Sequence, residues 1–419
     1  MPKNQEKSPN FSRSRDKKVI ELNPPIEILA GDVAGLLTAI SATHAKVRWE
    51  DSFAVGETVA IKASARGTYS HDLDCAVEDE STLRFKDHSV AVAMDLLHTV
   101  RKGQHIQICQ DTDVEHSAKS HGFDAVTLPV RSLPELSWGD VDTSATFLGQ
   151  VFAAPFLITG MTGGVEKGTL INERLAAAAA RARIPMGVGS QRMAIENKQY
   201  ESIFKLKDKF PDLFLIGNLG IAQLIRGDAV RDSRAAVDMI NADALAIHVN
   251  VLQELIQVEG DRDFRGVIAK IGEVVASLPV PVIVKEVGGG LDTRTAKALW
   301  DAGVRHFDVG GAGGTSWAFI EGQRAKDPMV RRRGQVFRDF GIPTAVAVRS
   351  VRDALPDATI IATGGIRDGL VARKAIYTGA NMVGVGLPLM RAALTGERAV
   401  CDLLDSMMTE YKIAVMCTH

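Results

Sequence analysis

A short stretch of the chain brings together an imidazole, two amides and a carboxylate. His248 and Asn250 end an apolar run and are two residues apart, so on a strand their side chains point to the same face. Gln253 and Glu254 follow almost at once. A carboxylate is a hard oxygen ligand of the kind with which Mg2+ bridges substrate phosphates. The pattern predicts a site for a polar ligand with a divalent cation at Glu254, the alternative being a glutamate on a surface loop.

A lysine interrupts another apolar run. Lys285 lies within VIVKEV, where burial of an ammonium group is costly unless it has a partner. The functional interpretations are a Schiff base, a proton carrier or a cation beside a cofactor. We favour these over a lysine that is merely paired in the core.

Glycines and small polar residues end six further apolar runs. They form the stretches GMTGG (160–164), GSQR (189–192), NLG (218–220), GGAGGTSW (310–317), TGGIR (363–367) and GVGL (384–387). Such residues let backbone N–H groups approach a flat ligand closely, and an arginine among glycines suits a phosphate monoester. Ahead of these runs, Arg101 and Lys102 in RKxxH could clamp a diphosphate, the alternative being a solvated basic patch.

The elements that must position these residues form a regular series after residue 101. Eight apolar runs occupy 155–162, 184–191, 213–220, 244–250, 281–287, 306–313, 359–365 and 382–389. Helix-like stretches occupy 169–183, 233–240, 264–277, 293–302 and 371–378, and a helix is predicted to start within 343–348. Apolar strands alternating with helices indicate a parallel sheet covered on both faces. Eight units predict an α/β fold of the (β/α)8 TIM-barrel type, whose active site lies at the carboxyl ends of the strands. A doubly wound sheet is the alternative, but no GxGxxG opens the first unit.

The first hundred residues have a different composition. Residues 1–18 carry six basic and two acidic residues and are predicted to be a disordered tail. Residues 19–100 are predicted to be a small α+β extension of unknown role, with a helix in 26–42, a strand in 57–67 and a second helix in 88–100. The barrel is expected to span 101–419.

Composition excludes several classes of protein. The chain has 419 residues, 46% of them hydrophobic and 24% charged, as in a globular protein. A net charge of −2 gives no field that would attract nucleic acid. The four cysteines include no CxxC pair, so neither a zinc ribbon nor a disulfide framework is expected, and a reducing cytoplasm fits best. There is no apolar run of 18 residues and no secretory signal, so we expect no membrane span.

Several of these stretches together resemble one enzyme family. The stretches are RKGQHI, FLGQVFAAPFLITGMTGG, GVGSQR, NLG, ALAIHVNVLQE, VPVIVKEVGGG, DVGGAGGTSWAFIEGQR, GIPTA and ATGGIRDG. From residue 101 to about 418 the chain is similar to the type 2, FMN-dependent isopentenyl-diphosphate Δ-isomerases, with HVNVLQE and GGAGGTSW the most specific matches. The resemblance implies an FMN-binding barrel that interconverts isopentenyl and dimethylallyl diphosphate. It also implies reduced FMN, NAD(P)H as reductant, Mg2+, a cytoplasmic location and a homo-oligomer, either a tetramer or an octamer.

The resemblance also implies roles for individual residues. The cofactor-binding set is Gly160, Met161, Thr162, Ser190, Asn218, Lys285, Thr315, Gly364, Gly365, Arg367, Gly386 and Leu387. The substrate-binding set is Arg101, Lys102, His248, Asn250 and Gln253, and Glu254 is the Mg2+ ligand. The catalytic set is Gln253, Lys285, His248 and Trp317. Gln253 would orient the alkene, Lys285 would favour the anionic reduced flavin, and His248 with Asn250 would bind the diphosphate.

The chain departs from the family pattern in three places. About 100 residues precede Arg101, the chain stops soon after AVMCT, and Gly160 and Gly386 stand where alanine or another small residue is more usual. The extension requires the clamp at Arg101 to be threaded over the active site, and it is compatible with a longer prenyl substrate.

Three other functions are alternatives for this sequence. An FMN-dependent α-hydroxy-acid oxidase is disfavoured because GGAGGTSW stands where an HGG-type segment belongs. A relative that cyclises or rearranges a larger prenyl diphosphate stays open, because the sequence does not measure a cavity. A scaffolding role is disfavoured by Gln253, Glu254 and Lys285 occurring together.

Overall fold

A computed structural model gives the fold of most of the chain. It describes residues 101–161 and 168–418 in full, and by backbone alone residues 166–167 and the elements named below that precede residue 101. The chain divides into two compact units, Met1–Val100 and Arg101–His419. The predicted disordered tail, residues 1–18, lies outside the described residues.

The first unit contains an antiparallel barrel. Its strands are β1 (Ile20–Ala30), β2 (Val33–Ile40), β3 (His44–Trp49), β4 (Thr58–Ser64), β5 (Ser70–Asp79) and β6 (Thr82–Phe85). They close in the order β1-β2-β3-β6-β5-β4. The strand predicted in 57–67 is confirmed as β4.

The helix predicted in 26–42 is wrong. This segment forms the second half of β1 and all of β2, which pair antiparallel from Ala30 opposite Val33. An apolar run by itself does not distinguish a buried helix from strands. The sequence between the strands, Gly31-Asp32, is a pair typical of hairpin turns, and it carried the missing signal.

The helix predicted in 88–100 is confirmed and is longer than expected. Helix α1 runs over Val90–Asp111. Arg101, Lys102 and His105 therefore lie on a regular helix, with Arg101 and His105 one turn apart on the same face.

The second unit is an eight-stranded parallel barrel preceded by a short hairpin. The hairpin strands are β7 (Ala145–Phe147) and β8 (Gln150–Phe152). The barrel strands are β9 (Phe156–Ile158), β10 (Met186–Gly187), β11 (Leu215–Gly220), β12 (Ala244–Val249), β13 (Val282–Glu286), β14 (His306–Asp308), β15 (Thr359–Thr363) and β16 (Met382–Val385). They close in chain order, with β16 beside β9. All eight predicted runs contain a strand, so the TIM-barrel prediction is confirmed and the doubly wound sheet is wrong.

The helices of this unit follow the strands. They are α2 (Glu166–Ala182), α3 (Arg192–Glu196), α4 (Ile221–Arg226), α5 (Ala229–Ile240), α6 (Val251–Ile256), α7 (Val267–Ser277), α8 (Thr293–Asp301), α9 (Trp317–Arg324), α10 (Pro328–Val336), α11 (Thr344–Ala354), α12 (Gly369–Thr378), α13 (Leu387–Thr395) and α14 (Glu397–Met416). The five predicted stretches correspond to α2, α5, α7, α8 and α12, and the helix expected within 343–348 is α11. Aspartates cap three of them, since Asp228, Asp292 and Asp368 each accept a backbone N–H of the first turn.

The hairpin closes one end of the barrel. Phe147 and Phe152 pack in a buried cluster with Phe214, Ala244 and Met382, which lie at or just before the amino ends of their strands. The opposite end, where the strands finish, is thereby left for the polar residues. Among the described residues, no helix combines the length and apolarity that crossing a membrane requires.

Candidate active site

A single cavity at the carboxyl ends of the barrel strands collects the predicted residues. Thr162 lies outside the described residues, and every other predicted site residue lines this cavity. These residues are Arg101, Lys102, Gly160, Met161, Ser190, Asn218, His248, Asn250, Gln253, Glu254, Lys285, Thr315, Trp317, Gly364, Gly365, Arg367, Gly386 and Leu387. Side chains far apart in sequence thus face one space, as the barrel geometry predicts.

Strand register places four of the lining or neighbouring residues in one row. Gly220 lies beside His248, His248 beside Lys285, and Lys285 beside Asp308 on successive strands. The Lys285 ammonium group donates to Asp308 Oδ2 at 3.1 Å and to the Glu286 carbonyl at 3.2 Å. Lys285 is therefore both paired in the core and exposed to the cavity, so the two interpretations of this lysine are compatible. Sequence reasoning missed Asp308, which ends a strand in DVGG.

His248 is held as a neutral imidazole. Burial, followed by the charge of Lys285, lowers its pKa to about 4. Its Nδ1 lies 2.8 Å from Asn218 Oδ1, and the Asn218 amide donates its own N–H to the Val188 carbonyl. Because Asn218 Oδ1 is thus an acceptor, Nδ1 carries the imidazole proton. Nε2 is left as an acceptor beside Gly220, and it can donate to an anion only after it takes up a proton.

Cations gather at one side of the cavity. Helix α1 brings Arg101 and Lys102 there, and Lys102 Nζ donates to the Ser190 carbonyl at 3.3 Å. Burial, with the charges of Arg101 and Arg192, lowers the pKa of Lys102 to about 7. Arg192 also lines the cavity, although it was not among the predicted site residues. Arg101, Lys102 and Arg192 make this side of the cavity basic, and the two residues expected to clamp a diphosphate lie on one helix.

The amide of Gln253 belongs to a buried hydrogen-bond network. Gln253 Nε2 donates to Glu321 Oε1 at 2.9 Å, and His105 Nε2 lies 2.9 Å from the same oxygen. On the other side, Asn250 Nδ2 donates to Glu254 Oε1 at 3.0 Å. Sequence reasoning did not single out Glu321 as a site residue, although it stands one turn after Trp317 and is the first charged residue of its helix.

Glu321 is fully buried and ionised. Burial alone would raise the pKa of Glu321, but the guanidinium of Arg324 and the imidazole of His105 outweigh it and lower that pKa. Arg324 Nε donates to Glu321 Oε2 at 2.9 Å, and Arg324 Nη2 donates to Glu259 Oε1 at 2.6 Å. The carboxylate can therefore stay charged away from water.

The far side of the cavity has the features of a phosphate site. Gly364 and Gly365 take the left-handed φ values of 114° and 78°, and Gly386 is the N-cap of helix α13. Thr363 Oγ1 is buried beside them and finds no hydrogen-bond partner within the described part of the chain. Arg367 follows, and burial lowers its pKa to about 10. Left-handed glycines, a helix N-terminus and an arginine after the seventh and eighth strands fit a phosphate monoester.

A carboxylate contacts this arginine. The Arg367 guanidinium pairs with Glu115, a residue that sequence reasoning did not single out. The segment that carries Glu115 lies against the glycine loop, because Glu115 bridges Thr315 and the His116 N–H donates to the Gly314 carbonyl. An anion at this position would therefore share Arg367 with Glu115.

The barrel has close relatives of one kind. A Nostoc protein named isopentenyl-diphosphate delta-isomerase is 44% identical over 318 residues, covering 76% of this chain and 91% of the relative. A Synechococcus protein of the same name is 45% identical over 318 residues, covering the same shares of the two chains. This chain belongs to the isopentenyl-diphosphate delta-isomerase family. The resemblance predicted from the sequence motifs is confirmed.

Two further comparisons concern the fold of this isomerase-family chain. Residues 234–418 match the family model described as FMN-dependent dehydrogenase. A solved structure of mandelate oxidase is 20% identical, has a TM-score of 0.51, and covers 77% of this chain and 94% of that one. That likeness shows a shared barrel fold alone, and it lends no support to an oxidase activity here.

The residues present fit the groups that the isomerase family implies. For FMN, the Thr363 hydroxyl has no partner among the described residues, and it adjoins the left-handed Gly364 and Gly365. A Cβ on Gly314 would lie 2.5 Å from the Gly365 nitrogen, so the loops after the sixth and seventh strands approach closely without side chains between them. For Mg2+, Glu254 faces the cavity while its Oε2 accepts the Asp261 N–H at 2.8 Å. Of the residues that the structure describes, no three His, Cys, Asp or Glu side chains group as a metal cage. A cation at Glu254 would complete its shell with water and substrate oxygens, which is the usual habit of Mg2+.

Proposed function

We propose that the protein interconverts isopentenyl and dimethylallyl diphosphate with FMN and Mg2+ bound in the barrel cavity. The observation that carries the proposal is one cavity that gathers every described residue of the predicted site, in a chain 44% identical to a named isomerase. NAD(P)H is the proposed reductant of the flavin.

FMN would be held at both of its ends. The N–H groups of Gly365 and Leu387, with Arg367, would bind its phosphate, while Asn218 and Lys285 would face its ring. When bound and reduced, FMN supplies an electron-rich ring that stabilises positive charge developing on an alkene carbon. The pairing with Asp308 fixes the position of the Lys285 ammonium group. The positive charge of this group would favour negative charge on the flavin ring.

The substrate diphosphate would lie among the cations. Arg101 and Lys102 would bind it from helix α1, with Asn250 and His248 from the end of β12. Glu254 would hold Mg2+ against its oxygens. Because His248 Nε2 carries no proton in the free protein, we expect anion binding to raise the His248 pKa and to draw a proton onto Nε2.

The alkene would lie against Gln253 and Trp317. Glu321 fixes the Gln253 amide by accepting from Nε2, which orients the amide toward the cavity. Trp317 packs edge-on against His105 with ring centroids 5.4 Å apart, and this contact would exclude water from the reacting carbons. Gln253 would therefore orient the substrate, and the Glu321 carboxylate behind it would hold the amide in place.

The test is a turnover assay with a defined reductant. The purified chain is loaded with FMN and Mg2+, reduced anaerobically, and incubated with isopentenyl diphosphate, after which the dephosphorylated products are separated. We expect dimethylallyl alcohol from the reduced sample and none from the oxidised sample. Bound FMN without any turnover, or turnover restricted to longer prenyl diphosphates, would refute the proposed reaction.

We further propose a cytoplasmic homo-oligomer, a tetramer or an octamer. The apolar side chains Met329, Val336 and Phe340 are 57%, 65% and 58% exposed, and together they offer a surface that a second copy could cover. Cys109, Cys401 and Cys417 are free thiols, which supports a reducing compartment. Light scattering on the purified protein measures the assembly, and a monomeric mass would refute it.

A further inference from the structure

Arg324 bridges two carboxylates that lie behind the residues lining the cavity. Its Nε donates to Glu321 Oε2 at 2.9 Å, and its Nη2 donates to Glu259 Oε1 at 2.6 Å. The side chains of Arg324, Glu321 and Glu259 are only 6%, 0% and 18% exposed. Because both sides of its guanidinium group are hydrogen-bonded, Arg324 has one orientation and fixes the direction in which the Glu321 carboxylate points.

The other end of this group reaches the predicted diphosphate anchor. Arg101 Nη1 lies 3.8 Å from Glu259 Oε1. With the Gln257 amide turned so that both its ends are satisfied, its oxygen accepts from Arg101 Nη1 at 2.8 Å and its nitrogen donates to Glu321 Oε1 at 3.2 Å. Arg101 is thus connected to Glu321 by two routes, one through Glu259 and Arg324 and one through Gln257.

We propose that Arg324 is a positioning residue that couples anion binding at Arg101 to the orientation of Glu321 and Gln253. When a diphosphate draws Arg101 toward itself, Glu259 loses its contact with Arg101 and pairs with Arg324 alone. The Arg324 guanidinium is then held more firmly against Glu321. Binding energy from the diphosphate, which does not react, is then used to position Glu321 and Gln253 beside the alkene. This inference rests on the proposed function for the identity of the substrate.

The charges around Glu321 determine what the loss of Arg324 does. Arg101 and His105 face Glu321 from α1, while Gln253 and Gln257 are its neutral neighbours. Without Arg324, two buried carboxylates remain near one arginine, and the pKa of Glu321 rises. A reaction that needs ionised Glu321 then fails at higher pH than in the wild type.

The experiment compares Arg324→Met with Arg331→Met, a matched control. Arg331 lies on α10, is exposed, and donates to the Ala325 carbonyl. For Arg324→Met we expect kcat to fall by about 10- to 100-fold, because a small displacement of positioned groups has effects of that size. We expect KM to change less than about threefold and the acid limb of the pH profile to move to higher pH. Arg324→Lys should restore part of kcat, and Arg331→Met should behave as the wild type.

A second readout is independent of turnover. Histidine labelled with 15N in the ring reports on His105, which contacts Glu321. Adding inorganic pyrophosphate should shift the His105 signal in the wild type and shift it clearly less in Arg324→Met, where only the route through Gln257 remains. If Arg324→Met does not fold, the charge-matched double variant Arg324→Met/Glu259→Gln replaces it.

The outcomes separate the inference from the proposed function. A wild type without turnover but with the His105 shift refutes the function and retains the coupling. An unmoved acid limb with equal losses in Arg324→Met and Arg331→Met overturns the coupling. So does a His105 shift of the same size in the wild type and in Arg324→Met.

Discussion

His248 illustrates how burial sets the chemistry of a single side chain. Its pKa of about 4 leaves the ring neutral at physiological pH, and the Asn218 carbonyl oxygen selects the tautomer. A histidine expected to bind an anion therefore begins as an acceptor. Anion binding in this cavity should consume protons, and Lys102 allows this to be measured.

We expect anion affinity to fall as pH rises through about 7, the pKa to which burial and its cationic neighbours lower Lys102. Below that pH Lys102 is a cation that attracts the diphosphate, and above it the free protein carries one charge fewer. Calorimetric titration of inorganic pyrophosphate between about pH 6 and 8 measures the change.

The control is Lys102→Met, which leaves the titration of the ligand itself unchanged. Its affinity should be lower, and it should vary less with pH over this interval. Equal pH dependence in the two proteins would contradict the assignment.

Glu254→Gln should raise the Mg2+ concentration needed for half-maximal turnover by about tenfold or more. The change removes the charge that binds the cation while it keeps the shape of the side chain. Turnover is measured against Mg2+ concentration, with Glu273→Gln as the control because Glu273 is an exposed glutamate on α7. Unchanged metal dependence would remove Glu254 from the metal site.

At the scale of elements, close backbone approach explains why the strand ends carry glycine. A Cβ added at Gly160 would lie 2.0 Å from the Val188 carbonyl oxygen, so β9 and the loop after β10 meet without room for a side chain. A Cβ on Gly103, within helix α1, would meet nothing within 4 Å.

Gly160→Ala should lower the free energy of unfolding by about 1–3 kcal/mol, because the backbone must shift to accept the methyl group. Gly103→Ala should raise it by about 0.5–1 kcal/mol, because alanine is the better helix former. Urea unfolding of both variants checks the pair. Equal effects of the two changes would show that the approach at Gly160 is not tight.

The barrel was predictable because its strands are buried on both faces and read as continuous apolar runs. A continuous apolar run also occurs in residues 26–42, where it led to the wrong prediction of a helix because the run forms two strands. The cavity residues were predictable because strand ends converge at one face. Glu321 was missed because its meaning depends on His105 and Gln253, which contact it across the fold, and such pairing leaves no mark on local sequence.

At the scale of the whole molecule, two closed barrels lie in two units of one chain. Each barrel completes its own sheet, and the described residues that line the cavity all belong to the second unit. We therefore expect thermal unfolding in two transitions.

FMN should raise the temperature of one transition and leave the other unchanged. A ligand at about 100 times its Kd stabilises the unit that binds it by about 2.7 kcal/mol. Differential scanning calorimetry with and without FMN measures both transitions. A single transition, or two that move together, would contradict separate unfolding of the units.

The row of Gly220, His248, Lys285 and Asp308 constrains how the pocket can change. A methyl group at residue 220 would lie 2.6 Å from His248 Nε2, and Lys285 without Asp308 would be a buried cation without its acidic partner. Each position therefore limits its neighbour around the circumference of the barrel. In a library randomised at all four positions, we expect functional combinations of changes but few tolerated single changes. Redesign of this pocket therefore has to change residues on neighbouring strands together.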